Sequence, residues 1–223
     1  MTRIALATEG KSEHWIVKHL VQNYFKGKEI FFRQVQPQIF NDTQESVGGW
    51  LEILKFCERT DDIKSALIES DYLIIQIDTD ESQNPNFGVT HTKQGSVLKT
   101  SEELFEDIVS KIRGIINPEI ETEYSNKIIF AICIHSIECW LLPIYYTNNH
   151  KKDIRNCLST LNTELRRRNL NVIPPKKQKE KRQAVYENVL RKWKRRQDIV
   201  SSSKHNFGFK KFIESLKMIE SKE

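Results

Sequence analysis

YLIIQIDTD, at residues 72–80, is the strongest strand signal in the chain and decides the fold. Its continuous apolar run is what a central strand needs when helices cover both of its faces. The run ends in two carboxylates, Asp78 and Asp80. Because an open parallel sheet binds its ligands outside the carboxyl ends of its strands, the stretch predicts both the type of sheet and the edge where a site would lie.

Alternating strand and helix patterns surround this segment. Strands are predicted for RIALATEG (3–10), for EIFFRQVQPQIF (29–40) with an irregularity at Pro37, and for KIIFAICIH (127–135). Helices are predicted for 11–27, for 50–70 with Asp61 and Asp62 capping a second short helix, for 100–116 behind a capping box, and for 136–146. Residues 81–99 form a long polar loop. The order β-α-β-α-β-α-β-α predicts an α/β fold with a mainly parallel sheet and helices on both faces.

The charge is distributed unevenly along the 223 residues. Residues 1–150 hold 14 Lys and Arg against 22 Asp and Glu, whereas residues 151–211 hold 19 against 5. We therefore predict an acidic body at 1–150 and a basic helical extension at 151–223 that packs on it. Such an asymmetry suggests a polyanionic partner.

The cysteines and the chain start favour a cytoplasmic protein. Cys57, Cys133, Cys139 and Cys157 form no CxxC pair, so neither a zinc ribbon nor a redox motif is indicated, and a reducing compartment fits best. MTRIALATEGKSE lacks the apolar run of a secretory signal. The apolar stretch 128–150 carries Glu138 near its middle, which disfavours a membrane span, so no membrane partner is expected.

Acidic residues follow three of the predicted strands. Glu9 comes after the first, Asp78 and Asp80 end the third, and Glu138 follows the fourth; Glu13 lies four residues after Glu9. Carboxylates that converge without matching bases repel one another, and a divalent cation bound through oxygen is the usual compensation. The pattern therefore predicts a site for Mg²⁺ or Mn²⁺.

These motifs resemble a known family. EGKSE (9–13) after a first strand, followed by the strand and DxD of IIQIDTD (74–80), looks like the Toprim domain of topoisomerases, primases and overcoming-lysogenization-defect (OLD) nucleases. HSIECWLL (135–142) is similar to a region of stand-alone Toprim-like proteins from phage-defence operons. The resemblance covers about residues 1–147 and implies a four-stranded, Rossmann-like Toprim sheet.

The family's site residues carry over by position. Glu9 matches the Toprim glutamate, which is a general acid or base in topoisomerases and a metal ligand in OLD-type nucleases. Asp78 and Asp80 match the DxD pair that binds Mg²⁺. Glu13 matches the second acid of the OLD-type ExxxE arrangement, and Glu138 stands for the later acid that completes a second metal site.

The sequence departs from the topoisomerase pattern at one position. Ser82 stands where topoisomerases have a third acid, which moves the comparison towards a nuclease. The resemblance thus implies a Toprim-type, metal-dependent endonuclease that hydrolyses phosphodiester bonds, as an effector in defence against phage or mobile elements with an ATPase partner.

Two metal ions about 3.5–4 Å apart would serve such hydrolysis. Glu9, Glu13 and Asp78 are candidates for one ion, and Asp80 and Glu138 for the other. A basic group would stabilise the charge that develops on the phosphate. The candidates for this catalytic role are Lys11 and, after Pro174 and Pro175, Lys176, Lys177 and Lys179.

The basic extension is the predicted nucleic-acid-binding segment. Its candidate contacts, for DNA or RNA, are Lys176, Lys177, Lys179, Arg191, Lys192, Lys194, Arg195 and Arg196. Because each neutralised phosphate releases counterions, we expect binding to depend steeply on salt. Trp193, inside RKWKRR (191–196), either packs in the core or stacks on a base.

Other interpretations stay open for the same residues. Glu13 also suits a first helical turn because of the helix dipole, and Glu138 a cap or a pair with a lysine of the extension. His135 fits a structural role or a phosphate contact. The competing functions are a non-catalytic Toprim-fold subunit that binds nucleic acid or a partner, and a nucleotide-transfer enzyme that uses DxD.

Overall fold

The computed structural model describes residues 1–40, 43–44, 47–175 and 178–220. Its strands are β1 (Thr2–Ala7), β2 (Ile30–Gln36), β3 (Ile39–Phe40), β4 (Thr43–Gln44), β5 (Tyr72–Asp78) and β6 (Ile128–Cys133). Four of them form a parallel sheet in the order β2-β1-β5-β6, and β3 pairs with β4 in a small antiparallel hairpin. The predicted α/β fold, with a parallel four-stranded sheet, is confirmed.

Helices flank the sheet and make up most of the chain after residue 150. They are α1 (Lys11–Tyr24), α2 (Trp50–Glu58), α3 (Thr60–Glu69), α4 (Ser101–Ile115), α5 (Pro118–Tyr124), α6 (Glu138–Leu141), α7 (Cys157–Arg167), α8 (Lys179–Leu190), α9 (Arg196–Ser203), α10 (Phe207–Ser215) and α11 (Lys217–Glu220). The predicted basic helical extension is thus present. None of the helices in the described ranges is long and apolar enough to cross a membrane.

The central strand β5 separates two hydrophobic cores. Leu73, Ile75 and Ile77 pack with α2, α3 and α4 on one face, whereas Tyr72 and Ile74 pack with α1 and the C-terminal helices on the other. Side chains alternate between the faces of a strand with a period of two. The residues at 76 and 78 therefore continue the series of Tyr72 and Ile74, which directs Asp78 towards the side of α1 and the extension.

The extension shares its core with the sheet. Apolar side chains of α8 and α10 belong to the same buried cluster as those of β1, β5 and α1, and Trp193 is buried among them. Helix α10 crosses the outer strand β6 so closely that a Cβ atom on Gly208 would lie 2.1 Å from the carbonyl oxygen of Ile132. A covered strand cannot pair with another chain, so α10 protects the edge of the sheet.

Several element boundaries differ from those expected. The predicted strand 29–40 ends at Gln36, because Pro37 has no N–H with which to continue the ladder. The predicted helix 136–146 is only one turn of α6 followed by a 3₁₀ turn at Leu142–Ile144, because Pro143 has no N–H with which to continue the α-helical hydrogen bonds. The capping box is confirmed, since Glu103 N donates to Thr100 Oγ1 at 3.2 Å and Thr100 N to Glu103 Oε2 at 2.9 Å.

The structure also pairs two cysteines. Cys139 in α6 and Cys157 at the start of α7 form a disulfide with a Cα–Cα distance of 4.9 Å. Their separation of 18 residues matches no motif, so the spacing of the cysteines did not indicate the bridge. Cys57 and Cys133 are buried free thiols. The bridge ties the helix that carries Glu138 to the first helix of the extension.

Candidate active site

The predicted acids come together at the carboxyl edge of the sheet. They line a cleft of about 490 Å³, which we call the carboxylate cleft. Its acidic side chains are Glu9, Glu13, Asp78, Asp80 and Glu138. Two basic side chains line it as well, Lys11 and Arg182. The clustering follows from the topology, because parallel strands end at the same edge and each acid follows such an end.

Gln76 holds the first acids in place. It is fully buried, its Nε2 donates to Asp78 Oδ1 at 2.9 Å, and its Oε1 accepts from Glu9 N at 3.1 Å. Glu9 Oε1 in turn accepts from Asp78 N at 2.6 Å. These contacts connect the end of β1 to the end of β5. Gln76 was not among the predicted site residues, although an amide inside an otherwise apolar strand indicates a specific role.

Asp78 occupies an unfavourable electrostatic position. Burial is the main cause that raises its pKa well above the usual value. The charges of four neighbouring carboxylates raise it further: Glu9, Glu13, Glu138 and Asp80. A carboxylate in such surroundings gains from a nearby positive charge.

The donor atoms fit a hard divalent cation. All five acids offer oxygen ligands, which Mg²⁺ and Mn²⁺ prefer. Within the described ranges, no three His, Cys, Asp or Glu side chains already stand in an arrangement that holds a metal ion. The acids therefore share one cleft without forming a closed set of ligands.

The turn between β1 and α1 brings Glu13 and Lys11 into the cleft. A Cβ atom on Gly10 would lie 2.7 Å from Glu13 Oε2, so glycine lets this carboxylate approach the turn. Glu13 is in the first turn of α1, where the helix dipole favours a negative charge. Lys11 Nζ lies 4.8 Å from the centroid of the Trp15 ring, and Trp15 also lines the cleft. Trp15 is half-buried.

Glu138 belongs to a buried network with the extension. Tyr186 Oη donates to Glu138 Oε1 at 2.5 Å, and Arg182 Nη2 donates to the same oxygen at 3.3 Å and to Tyr186 Oη at 2.8 Å. Arg182 Nη1 donates to Pro174 O at 2.7 Å, and the Arg182 side chain is only 4% exposed. Burial and the charge of Glu138 raise the pKa of Tyr186 well above its usual value, so the phenol stays a donor.

Arg182 and Tyr186 are site residues that sequence reasoning missed. Arg182 ends the basic run KKQKEKR (176–182) and was not among the residues predicted for the site. One signal was available: Arg182, Tyr186, Val189 and Trp193 recur at helical spacing, and the last three are apolar and buried. An arginine on the apolar stripe of a helix needs a buried anion, and Glu138 supplies it.

The predicted nucleic-acid contacts that the structure describes lie outside the carboxylate cleft. Lys176, Lys177 and the side chain of Lys179 fall outside the described residues. Arg195 pairs with Asp198, and Arg196 pairs with Glu220 and stacks on Tyr24. The residues described as lining the carboxylate cleft include none of Arg191, Lys192, Lys194, Arg195 and Arg196. Trp193 is 2% exposed, which agrees with the core alternative.

The two histidines near the site support its backbone. His91 Nε2 lies 2.8 Å from Thr79 O and 2.9 Å from Ser82 Oγ. His135 N donates to Thr79 Oγ1 at 2.7 Å, and its ring packs edge-on against that of His91. Burial, with the charges of His91 and Arg155, lowers the pKa of His135 to about 4, so His135 is neutral at pH 7.

Comparisons with protein-family models, with curated proteins and with solved structures each give no match for this chain. The function is therefore inferred from the residues of the site.

Proposed function

We propose that this protein is a divalent-metal-dependent nuclease that hydrolyses phosphodiester bonds in the carboxylate cleft. The observation that supports the proposal is the convergence of five carboxylates and one buried arginine at the carboxyl edge of a parallel sheet. The Toprim-like order of the motifs agrees with the same chemistry.

The acids would hold the metal. Glu9 Oε1 accepts from Asp78 N at the ends of β1 and β5, and Glu13, Asp80 and Glu138 line the same cleft. When bound, Mg²⁺ or Mn²⁺ supplies charge neutralisation at the phosphate and a water of lowered pKa. The burial of Asp78 among like charges favours the uptake of a cation.

The basic residues have separate tasks in this proposal. Arg182 is a positioning residue, because its Nη2 already bonds Glu138 Oε1 and its side chain is almost fully buried. Lys11 lies on the wall of the cleft above Trp15, where its ammonium group would contact a substrate phosphate. Lys11 is therefore the candidate for stabilising charge on the phosphate.

Metal binding and cleavage test the proposal together. We expect the wild-type protein to bind Mn²⁺ in a calorimetric titration and to cleave a labelled oligonucleotide only when Mg²⁺ or Mn²⁺ is present. Asp78→Asn and Glu9→Gln keep the shapes of the side chains and should each abolish both effects. Asp71→Asn is the matched control, because Asp71 precedes the opposite end of β5 and its carboxylate pairs with Arg3.

Other outcomes would contradict the proposal or favour one of the competing functions. Metal-independent cleavage, or cleavage that persists in both site variants, would contradict the proposal. Absence of Mn²⁺ binding would favour the non-catalytic subunit, and binding of a nucleotide in preference to DNA and RNA would favour the nucleotide-transfer enzyme.

A further inference from the structure

A second cleft of about 700 Å³ opens beside the carboxylate cleft. We call it the arginine cleft. It shares Asp80, Ser136 and Leu158 with the carboxylate cleft, so these residues form a wall between two adjoining clefts. Its remaining wall comes from the loop after β6, from the two residues before α7 and from α7 itself: His135, Arg155, Asn156, Cys157, Ser159, Asn162 and Arg166.

The two clefts differ in charge. The arginine cleft carries Arg155 and Arg166 against the single carboxylate of Asp80. Both arginines are exposed, and within the described residues their side chains form no ion pair with an acid. Their neighbours in RRR (166–168) differ, because Arg167 and Arg168 both bond the buried Glu164. Two guanidinium groups thus face solvent directly beside an acidic site.

The wall between the clefts is held firmly. Thr79 N and Asp80 N both donate to His135 O at 3.0 Å, which fixes the loop after β6 to the end of β5. His135 and Asn156 adopt left-handed backbone conformations, with φ of 63° and 55°. Hydrogen-bonded loops and the disulfide from Cys139 to Cys157 therefore keep the arginine cleft at a fixed position relative to Glu138.

We propose that the arginine cleft binds the phosphodiester backbone of a single nucleic-acid strand on one side of the phosphate held in the carboxylate cleft. This inference rests on the proposed nuclease function and adds the path of the substrate. Guanidinium groups bind phosphate through paired, charge-assisted hydrogen bonds. Asn156, Ser159 and Asn162 add neutral polar groups that suit phosphate and sugar contacts.

The test measures binding of a labelled single-stranded oligonucleotide by fluorescence anisotropy at several salt concentrations. EDTA is present, so binding is observed without metal and without cleavage. The variant Arg155→Gln/Arg166→Gln is compared with Arg3→Gln/Arg59→Gln. The control removes the same charge, and its exposed arginines pair with Asp71 and Asp62 outside both clefts.

We expect the arginine-cleft variant to bind at least about tenfold more weakly than the control, because it loses the charge-assisted hydrogen bonds to phosphate that the control keeps. The slope of log K against log salt should fall by about 1.4, or about 0.7 for each of two lost phosphate contacts. Equal affinities and slopes for the two variants would overturn the inference. A wild-type protein that does not bind the oligonucleotide, either with EDTA present or with Ca²⁺ added in its place, would also overturn the inference.

The two proposals fail in different ways. If the wild-type protein binds the oligonucleotide through Arg155 and Arg166 but never cleaves it, the proposed nuclease function is refuted and the proposed binding by the arginine cleft stands. If the protein cleaves with metal but the arginine-cleft variant binds as tightly as the control, only the proposed binding by the arginine cleft is refuted.

Discussion

Tyr186→Phe tests whether the buried network holds Glu138 in the site. The substitution deletes the hydroxyl that donates to Glu138 Oε1 at 2.5 Å and accepts from Arg182 Nη2 at 2.8 Å. Hydrogen bonds to charged groups contribute about 1.5–3 kcal/mol each, but the direct contact between Arg182 and Glu138 remains. We therefore expect a loss of about 2–3 kcal/mol of unfolding free energy.

That loss is measurable in two ways. In a chain of this size it lowers Tm by about 4–12 °C, at about 2–4 °C per kcal/mol, and urea denaturation gives the free energy itself. Tyr146→Phe is the matched control, because Tyr146 Oη donates to the neutral carbonyl of Thr160 at 3.0 Å. The control should lose only about 0.5–1.5 kcal/mol.

The affinity for Mn²⁺ shows whether the network also orients Glu138, in addition to stabilising the fold. If the network orients Glu138 for metal, Tyr186→Phe should weaken Mn²⁺ binding by about 10–100-fold, the usual effect of losing the partner of a metal ligand. Tyr146→Phe should leave Mn²⁺ binding unchanged. Equal stability losses in the two variants, with unchanged Mn²⁺ affinity in both, would refute the reasoning.

Two further predictions concern the packing of the extension. Gly208→Ala should destabilise the protein strongly, because the new methyl group would overlap the carbonyl oxygen of Ile132. In Gly114→Ala the methyl group meets open space, so the free energy of unfolding should rise by up to about 1 kcal/mol. Thermal unfolding of both variants checks this, and a Gly208→Ala protein of wild-type stability would contradict it. The disulfide should contribute about 3 kcal/mol for a loop of its length. Dithiothreitol should therefore lower the Tm of wild type but not that of Cys139→Ser, and equal responses would show that Cys139 and Cys157 are not bridged.

The sheet and its acidic edge could be predicted because short-range patterns determine them. A strand that is buried along its whole length, such as β5, needs helices on both faces, and parallel strands bring their carboxyl ends together. Asp78 ends a strand, and Glu9 and Glu138 lie a few residues beyond the ends of two others, so their convergence needed no knowledge of side-chain packing. The order of the motifs was sufficient for this part of the site.

The contribution of the extension could not be predicted in the same way. Arg182 and Glu138 are 44 residues apart, and which basic residue meets the acid depends on how α8 packs. The composition identified the charge of residues 151–211 but not the direction of each side chain. Arg195 and Arg196, which were predicted to bind nucleic acid, pair with acids of the extension itself.

The buried arginine changes how the charge asymmetry is understood. A cleft with five carboxylates is costly to fold, because like charges in partly buried positions repel one another. Helix α8 brings Arg182 against Glu138 from the same apolar face that anchors the helix in the core, so folding of the extension and partial neutralisation of the cleft occur together. Because Arg182 already compensates the charge of Glu138, the negative charge that a cation would neutralise is concentrated at the ends of β1 and β5, around Asp78. The extension is therefore part of the site as well as a surface beside it.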